Sequence, residues 1–171
     1  MDIREKLREV PDFPKKGILF YDVTPILSDP KAYAESINQL KGLLQDVDFD
    51  LIIGPEARGF LFGAPLSIIL GKPFVPVRKA GKLPYKTLKK SYALEYGAAT
   101  VEIHQDAVKK GQRAVIVDDL LATGGTSAAI CGLVEELGGC VVCQAYLIEL
   151  EALNGRQALK GCDIRTLIKI S

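Results

Sequence analysis

The stretch Val115-Ile-Val-Asp-Asp-Leu-Leu-Ala-Thr-Gly-Gly-Thr126 sets the reading of the whole chain. Ala114-Val-Ile-Val117 is a continuous apolar run, as in a strand buried on both faces of a parallel sheet. It delivers two carboxylates, Asp118 and Asp119, to the strand's carboxyl end, where open α/β sheets bind their ligands. Three residues later Thr123-Gly-Gly-Thr126 turns into a helix. Its glycines let the backbone approach a ligand closely, and the free N–H groups of a helix start suit a phosphate. Hydroxyls at Thr123, Thr126 and Ser127 add donors. Asp118 and Asp119 repel a phosphate but can accept hydrogen bonds from sugar hydroxyls beside it. A plainer alternative is an ordinary strand–loop–helix corner, but it leaves two adjacent acids ending a buried strand without partners, which is costly.

Outward from this corner, strand and helix alternate. Phe49 to Ile53 reads as a strand ending in Gly54-Pro55, and Phe60 to Leu70 as a helix covered on several sides. Phe74 to Val77 is a strand. Thr126, Ala129, Ile130, Leu133, Val134 and Leu137 trace a helix stripe closed by Gly138-Gly139. Cys140 to Ile148 is a further buried strand. Upstream, Ile3, Leu7 and Val10 are spaced as a short helix stopped by Pro11 and Pro14. Gly17 to Tyr21 is extended, and Ser28-Asp29-Pro30 starts a helix continued by Tyr33, Ile37, Leu40 and Leu44. The alternation predicts an α/β fold with a central, mainly parallel sheet flanked by helices.

The basic excursion from Lys79 to Lys90 (KAGKLPYKTLKK) breaks the pattern. It reads equally as a solvated surface loop or as a lid that brings positive charge onto a polyphosphate. After it, Tyr92, Leu94 and Tyr96 alternate, as do Val101 and Ile103, suggesting two strands meeting at Gly97.

Composition narrows the classes. Hydrophobic residues make up 48% and charged residues 25% of the 171, which is globular composition. A formal charge of +1 gives no global field to recruit nucleic acid or an anionic membrane, so anion binding must come from local geometry. The N-terminus carries acids and no apolar run behind them, unlike a signal peptide, and a cytoplasmic location follows as an expectation. Cys140-Val-Val-Cys143 has CxxC spacing without a second pair. With Cys131 and Cys162, these thiols are expected to be reduced, the pair acting as small hydrophobes on a buried strand. The lone His104 reads as a half-exposed strand residue.

Gly54-Pro-Glu-Ala-Arg-Gly59 has the glycine spacing of a P-loop, but Phe60-Leu61 stands where Lys-Ser/Thr is required. It still follows a strand and opens a helix, so its backbone donors and Arg58 can face a second anion; the alternative is a turn with Arg58 in a structural ion pair.

The segment from Val115 to Thr126 resembles the phosphoribosyl-pyrophosphate (PRPP) motif of type I phosphoribosyltransferases. The resemblance implies one domain over 1–171, with a small N-terminal hood over 1–30 and a flexible catalytic loop over 79–97. It implies that Asp118 and Asp119 hold the ribose hydroxyls, and that Ala122, Thr123, Gly124, Gly125 and Thr126 wrap the 5-phosphate. Glu56, Ala57, Arg58 and Gly59 look like that family's pyrophosphate loop. Ser91-Tyr-Ala-Leu-Glu-Tyr-Gly97, Gly59-Phe-Leu-Phe-Gly63, Arg78-Lys-Ala-Gly-Lys-Leu-Pro84 and Phe13-Pro-Lys-Lys-Gly-Ile-Leu-Phe20 are similar to segments of the adenine-specific members. From those follow Glu95 and Tyr96 as catalytic residues, Glu95 approaching the purine imidazole nitrogen. Arg78, Lys79 and Lys82 then contact pyrophosphate or a neighbouring subunit. Leu19 and Phe20 frame the base, with Arg58 near it. On spacing alone Glu95 reads as a surface strand acid, and it is the family-like segment around it that reverses that reading. The implied reaction uses adenine and PRPP, with Mg²⁺ held mainly by substrate and water rather than by a protein metal site, in a homodimer without nucleic-acid or membrane partners. Tyr21 stands where many relatives carry Arg, and Asn154 to Ser171 adds no chemistry legible here.

Two rivals within reach of the same residues are a phosphoribosyltransferase for another purine and a PRPP-sensing regulator. The latter predicts a DNA-binding appendage, for which the residues before Pro11 are too few. An oligomeric scaffold leaves Asp118 and Asp119 unexplained.

Overall fold

The computed structural model describes residues 1–94 and 97–171. Its centre is a seven-stranded sheet in the order β5-β6-β4-β3-β7-β8-β9. Strands β3 (Leu51–Pro55), β4 (Phe74–Lys79), β7 (Arg113–Leu121), β8 (Cys140–Leu150) and β9 (Ile164–Ile170) run parallel. The β5 strand (Thr87–Ala93) and β6 (Ala98–His104) form an antiparallel hairpin on one edge.

Strands buried on both faces explain the unbroken apolar runs. Ile52, Val115 and Val117 point to one face, where they meet α2 (Pro30–Leu43) through Ile37 and Leu40 and α3 (Arg58–Leu70) through Phe62 and Leu66. Leu51, Ile53, Ala114 and Ile116 point to the other, against Ala129, Ile130, Leu133 and Val134 of α4 (Gly125–Glu136). The acids start inside β7 rather than after it, since the strand runs on to Leu121, paired with β8 up to Glu149.

The N-terminus differs from the helix expected over Ile3 to Val10. Only Ile3–Lys6 makes a single 3-10 turn, and Arg8–Pro11 is a strand, β1, paired with β2 (Leu19–Asp22) in a separate two-stranded sheet. Backbone pairing with β2 outweighs a helical spacing only three residues strong. The segment 1–30, expected as a hood, thus holds the β1–β2 ribbon and α1 (Thr24–Ser28), which buries Ile26 in the main core. Asp29 caps α2 through the N–H groups of Lys31 and Ala32, with Pro30 in the first turn.

Within the segment 79–97, expected as a flexible catalytic loop, Lys79 closes β4 and Thr87–Ala93 is the strand β5. The residues between fold back over Glu102, a carboxylate on β6 that is only 1% exposed. Its Oε1 accepts from the N–H groups of Lys82 at 3.1 Å and Leu83 at 2.8 Å. Burial alone would raise the Glu102 carboxyl, but these donors and Lys89 hold it below the usual carboxylate range. Glu102→Gln keeps the shape and removes the charge that those donors face. The variant should lose about 1–3 kcal/mol of stability in urea unfolding; an unchanged midpoint would show that the loop does not depend on this charge.

At the other edge, β9 and two short 3-10 turns, Glu151–Leu153 and Gly155–Leu159, give the C-terminal segment a defined place. Cys143 is buried as expected, whereas Cys140, at the start of β8, is exposed; all four cysteines are free. His104 is half-buried, beside the Tyr85 ring. Among the described residues no helix is long and apolar enough to cross a membrane.

Candidate active site

The chain leaves β3 through α3 to β4 on one side, and leaves β7 through α4 to β8 on the other. The winding therefore reverses between β3 and β7, and the carboxyl ends of those two strands open a crevice, the usual ligand position in such sheets. Both sequence-marked loops lie there.

The crevice is a cleft of about 230 Å³ walled by Glu56, Arg58, Arg78, Lys79, Asp118, Asp119 and Thr126, with Tyr92 from β5. Asp119 is 5% exposed and binds the Arg58 guanidinium, Nε to Oδ2, at 2.5 Å. Asp118 is half-buried, and its Oδ1 accepts the Asp119 N–H at 2.8 Å. Loss of solvent, then the neighbouring Asp119 charge, push the Asp118 carboxyl well above the usual carboxylate range, against a smaller pull from Arg58. A cleft floor with a reluctant carboxylate is a common mark of a ligand site.

Two further hollows adjoin the cleft. One, of about 80 Å³, is formed by Ala122, Thr123, Gly124, Gly125, Thr126 and Ser127, and shares Asp118, Leu120 and Thr126 with the cleft. Gly124 stands just before α4 with φ +82°, the left-handed region where a side chain is strained. The opening N–H groups of α4 therefore lie at this hollow. The second, of about 390 Å³, is lined by Val10, Phe13, Phe20, Asp22 and Arg58. Phe13 and Phe20 meet edge to face with centroids 5.1 Å apart, and Arg58 stacks over Phe20 at 5.5 Å. Arg58 thus forms a wall of both the cleft and the aromatic hollow. The hollow at the glycine turn (the cradle) thus shares walls with the acid-floored cleft, and the aromatic hollow (the slot) shares Arg58 with it.

The model for the phosphoribosyl transferase domain matches residues 22–167. The adenine phosphoribosyltransferase of Caldanaerobacter subterraneus subsp. tengcongensis is 61% identical over 168 residues, covering 98% of this chain and 97% of that one. This chain belongs to the phosphoribosyl transferase family. The crystal structure of adenine phosphoribosyltransferase from Thermoanaerobacter pseudethanolicus is similar with a TM-score of 0.97 and 59% identity, over 99% of this chain and 98% of that one. The Saccharomyces cerevisiae enzyme, complexed with an iminoaltritol bisphosphate and adenine, has a TM-score of 0.89 and 41% identity, over 95% and 94%.

Against this family frame, most of the marked residues converge. Asp118, Asp119, Ala122 to Thr126, Arg58, Arg78 and Lys79 line the cleft or the cradle, and Phe20 lines the slot. Three do not stand as expected. The Glu56 N–H donates to the Val77 carbonyl at 2.9 Å, and its carboxylate accepts from the Lys79 N–H at 2.6 Å and lies 3.4 Å from Arg78 Nε. Glu56 therefore ties β4 to the loop instead of offering a donor to an anion. Lys82 is exposed and outside the cleft walls, because the Glu102 carboxylate holds its backbone on the loop. Leu19 is 42% exposed and outside the slot, where Val10 and Phe13 stand instead. A one-residue step along a strand turns a side chain to the other face, so Phe20 and Leu19 cannot both face the slot. Ala57 and Gly59 sit at the opening of α3, Gly59 buried. Glu95 and Tyr96 lie outside the described residues.

Tyr92, Phe13 and Val10 went unmarked in the sequence. Phe13 opens a family-like segment that gives it no role of its own, and Val10 has helical spacing but stands on the strand β1. Only the alternation of Tyr92 with Leu94 hinted that its ring faces inward.

Proposed function

We propose that this protein is an adenine phosphoribosyltransferase, transferring the 5-phosphoribosyl group of PRPP to adenine to give AMP and pyrophosphate. The observation that carries this reading is the set of three adjoining hollows, each matched to one part of that substrate pair. The adenine choice is supported by the names of relatives above half identity and by the adenine held in the yeast relative's structure.

In this reading the 5-phosphate occupies the Ala122-to-Thr126 cradle, meeting backbone N–H groups and hydroxyls. Asp118 and Asp119 accept hydrogen bonds from the ribose hydroxyls. PRPP replaces the Arg58–Asp119 ion pair from both sides, a hydroxyl meeting Asp119 and a phosphate oxygen meeting Arg58. Arg78 and Lys79 add positive charge where pyrophosphate leaves. Adenine lies in the slot against Phe20 and Phe13. Its N9 forms the bond to ribose C1 as the bond from C1 to pyrophosphate oxygen breaks, the electron pair leaving with pyrophosphate. Positive charge grows on the sugar in this loose state, and the two carboxylates beneath it are placed to stabilise that charge. Glu95 is the proposed acceptor for the imidazole proton.

Among the described residues no three acidic, histidine or cysteine side chains are grouped to hold a metal. Mg²⁺ arriving with PRPP would be held mainly by substrate oxygens and water, with Glu56, Asp118 and Asp119 the carboxylates of the cleft wall. When bound it neutralises charge on the leaving group. A homodimer and a cytoplasmic setting belong to the same reading. The first is supported by Leu61, Ile68 and Ile69, exposed apolar residues of α3, and the second by four free thiols.

The test is a pyrophosphate-release assay with PRPP, Mg²⁺ and a panel of adenine, guanine, hypoxanthine, xanthine and uracil. Turnover should be fastest by far with adenine. Turnover with another base and none with adenine would overturn the reading.

A further inference from the structure

Tyr92 belongs to β5, an edge strand, yet its side chain reaches across to the opening of α4. The hydroxyl lies 2.8 Å from Thr126 Oγ1. The ring passes so close to Gly125 that a Cβ there would sit 3.0 Å from Tyr92 Cδ2. Tyr92 and Thr126 are both walls of the cleft, and Thr126 is also a wall of the cradle. Tyr92 is thus the hairpin side chain that touches the anion cradle through a hydrogen bond among the described residues.

We infer that Tyr92 is a positioning residue that turns the Thr126 hydroxyl proton toward the 5-phosphate. The inference rests on the reading that the cradle holds that phosphate. A threonine hydroxyl owns one proton and two lone pairs, and a tyrosine hydroxyl owns one proton. A phosphate only accepts. Once it fills the cradle, the Thr126 proton must point at a phosphate oxygen, leaving the Thr126 oxygen to accept from Tyr92. A phenol is a stronger donor than an aliphatic alcohol, so the favoured order is Tyr92 O–H to Thr126 O–H to phosphate oxygen. Chained donors of this kind polarise one another and strengthen the last bond. Without the Tyr92 proton, nothing in this contact fixes the rotation of the Thr126 hydroxyl.

The contact also joins two parts of the site that are separate in the chain. Tyr92 stands three residues before Glu95. Seating the phosphate therefore tightens a contact on the strand that leads into the segment carrying that acid.

Tyr92→Phe keeps the ring against Gly125 and removes only the hydroxyl. The PRPP KM should rise about three- to ten-fold. The adenine KM should stay within two-fold of wild type, as should the melting temperature within a degree or two. The Kd for ribose 5-phosphate, by calorimetry, should rise by the same factor as the PRPP KM. Thr126→Val should raise that KM as well, and adding Tyr92→Phe to it should have no further effect, whereas Thr126→Ser should keep the dependence on Tyr92. A packing role alone predicts a lowered melting temperature and effects that multiply with those of Thr126→Val. Unchanged PRPP KM in Tyr92→Phe, or multiplying effects, would overturn the inference. Wild-type protein without turnover on adenine would instead overturn the functional reading beneath it.

Discussion

Asp118→Asn is expected to weaken PRPP use by about 10- to 150-fold in kcat/KM while making the empty protein more stable at neutral and alkaline pH. The two effects share one cause. The carboxylate sits half-buried beside Asp119, and its folded-state pKa is raised well above the usual value by desolvation and by that neighbour. An acid whose pKa rises on folding binds its proton more tightly in the native state than in the unfolded one. Stability then falls as pH climbs from the unfolded value near 4 through the folded value, and the cost is complete above the latter. Asparagine carries no such cost. Its Oδ1 can still accept the Asp119 N–H, so the local shape survives. Melting curves from pH 5 to 8 should diverge, with the variant ahead by a margin that grows with pH.

The kinetic half follows from what the charge does when PRPP is bound. A hydrogen bond from a sugar hydroxyl to a carboxylate contributes about 1.5–3 kcal/mol, and the negative charge also faces the sugar as it becomes positive. Removing it should lower kcat/KM for PRPP by the stated factor, with adenine binding to the aromatic slot little changed. A variant no more stable than wild type at pH 8 would mean that Asp118 carries no burial cost. A variant with wild-type kcat/KM would mean that Asp118 does not touch the ribose.

Why these two acids were legible in the sequence, and other parts of the site were not, comes down to range. Asp118, Asp119 and the turn after them are one continuous stretch, so strand, acids and helix start can be read in order. The central strands are legible because burial on both faces removes the alternation that would make their assignment ambiguous. Contacts across the sheet leave no such trace. Tyr92 meets Thr126 over a separation of 34 residues. Glu102 lies between Val101 and Ile103, where period-two spacing turns it away from their face, toward solvent in a one-sided strand. It is buried only because residues 80–86 fold back over it. The N-terminal segment misled for the opposite reason. Ile3, Leu7 and Val10 have helical spacing, but the pairing that decides the conformation lies on β2, from Pro11 with Leu19 to Arg8 with Asp22.

The C-terminal segment, mute in the sequence, makes the second large prediction. Gly155→Ala should damage the phosphate cradle from behind. Gly155 is buried at the start of a 3-10 turn. A Cβ added there would sit 2.3 Å from the Ala122 carbonyl oxygen and 2.9 Å from Leu121 Cδ1. Facing it, a Cβ at Gly124 would meet the Gly155 carbonyl oxygen at 2.5 Å. The closest contacts on both sides are therefore backbone oxygens, which have no side-chain rotation by which to yield. Gly155, unlike Gly124, does not have a positive φ, so alanine is conformationally acceptable and the effect isolates the lack of space. The turn cannot easily retreat either. Arg156 grips Glu149 with Nε at 2.6 Å and Nη2 at 2.8 Å, its Nη1 donates to the Ile164 carbonyl, and Leu159 is buried.

The strain should then fall on the Ala122-to-Gly125 turn, which forms the cradle. Overpacking of this kind costs about 1–3 kcal/mol, which for a chain of this size lowers the melting temperature by roughly 2–4 °C per kcal/mol. Displacing the cradle by about 1 Å should lower kcat/KM for PRPP by up to about 100-fold. The adenine slot is built from β1, β2 and Arg58, remote from Gly155, so the adenine KM should hold. Calorimetric melting and steady-state kinetics with each substrate varied in turn read all three numbers. Equal losses for both substrates would point to general unfolding rather than a displaced cradle. A wild-type PRPP KM at reduced stability would mean that the 3-10 turn gives way and the cradle keeps its shape.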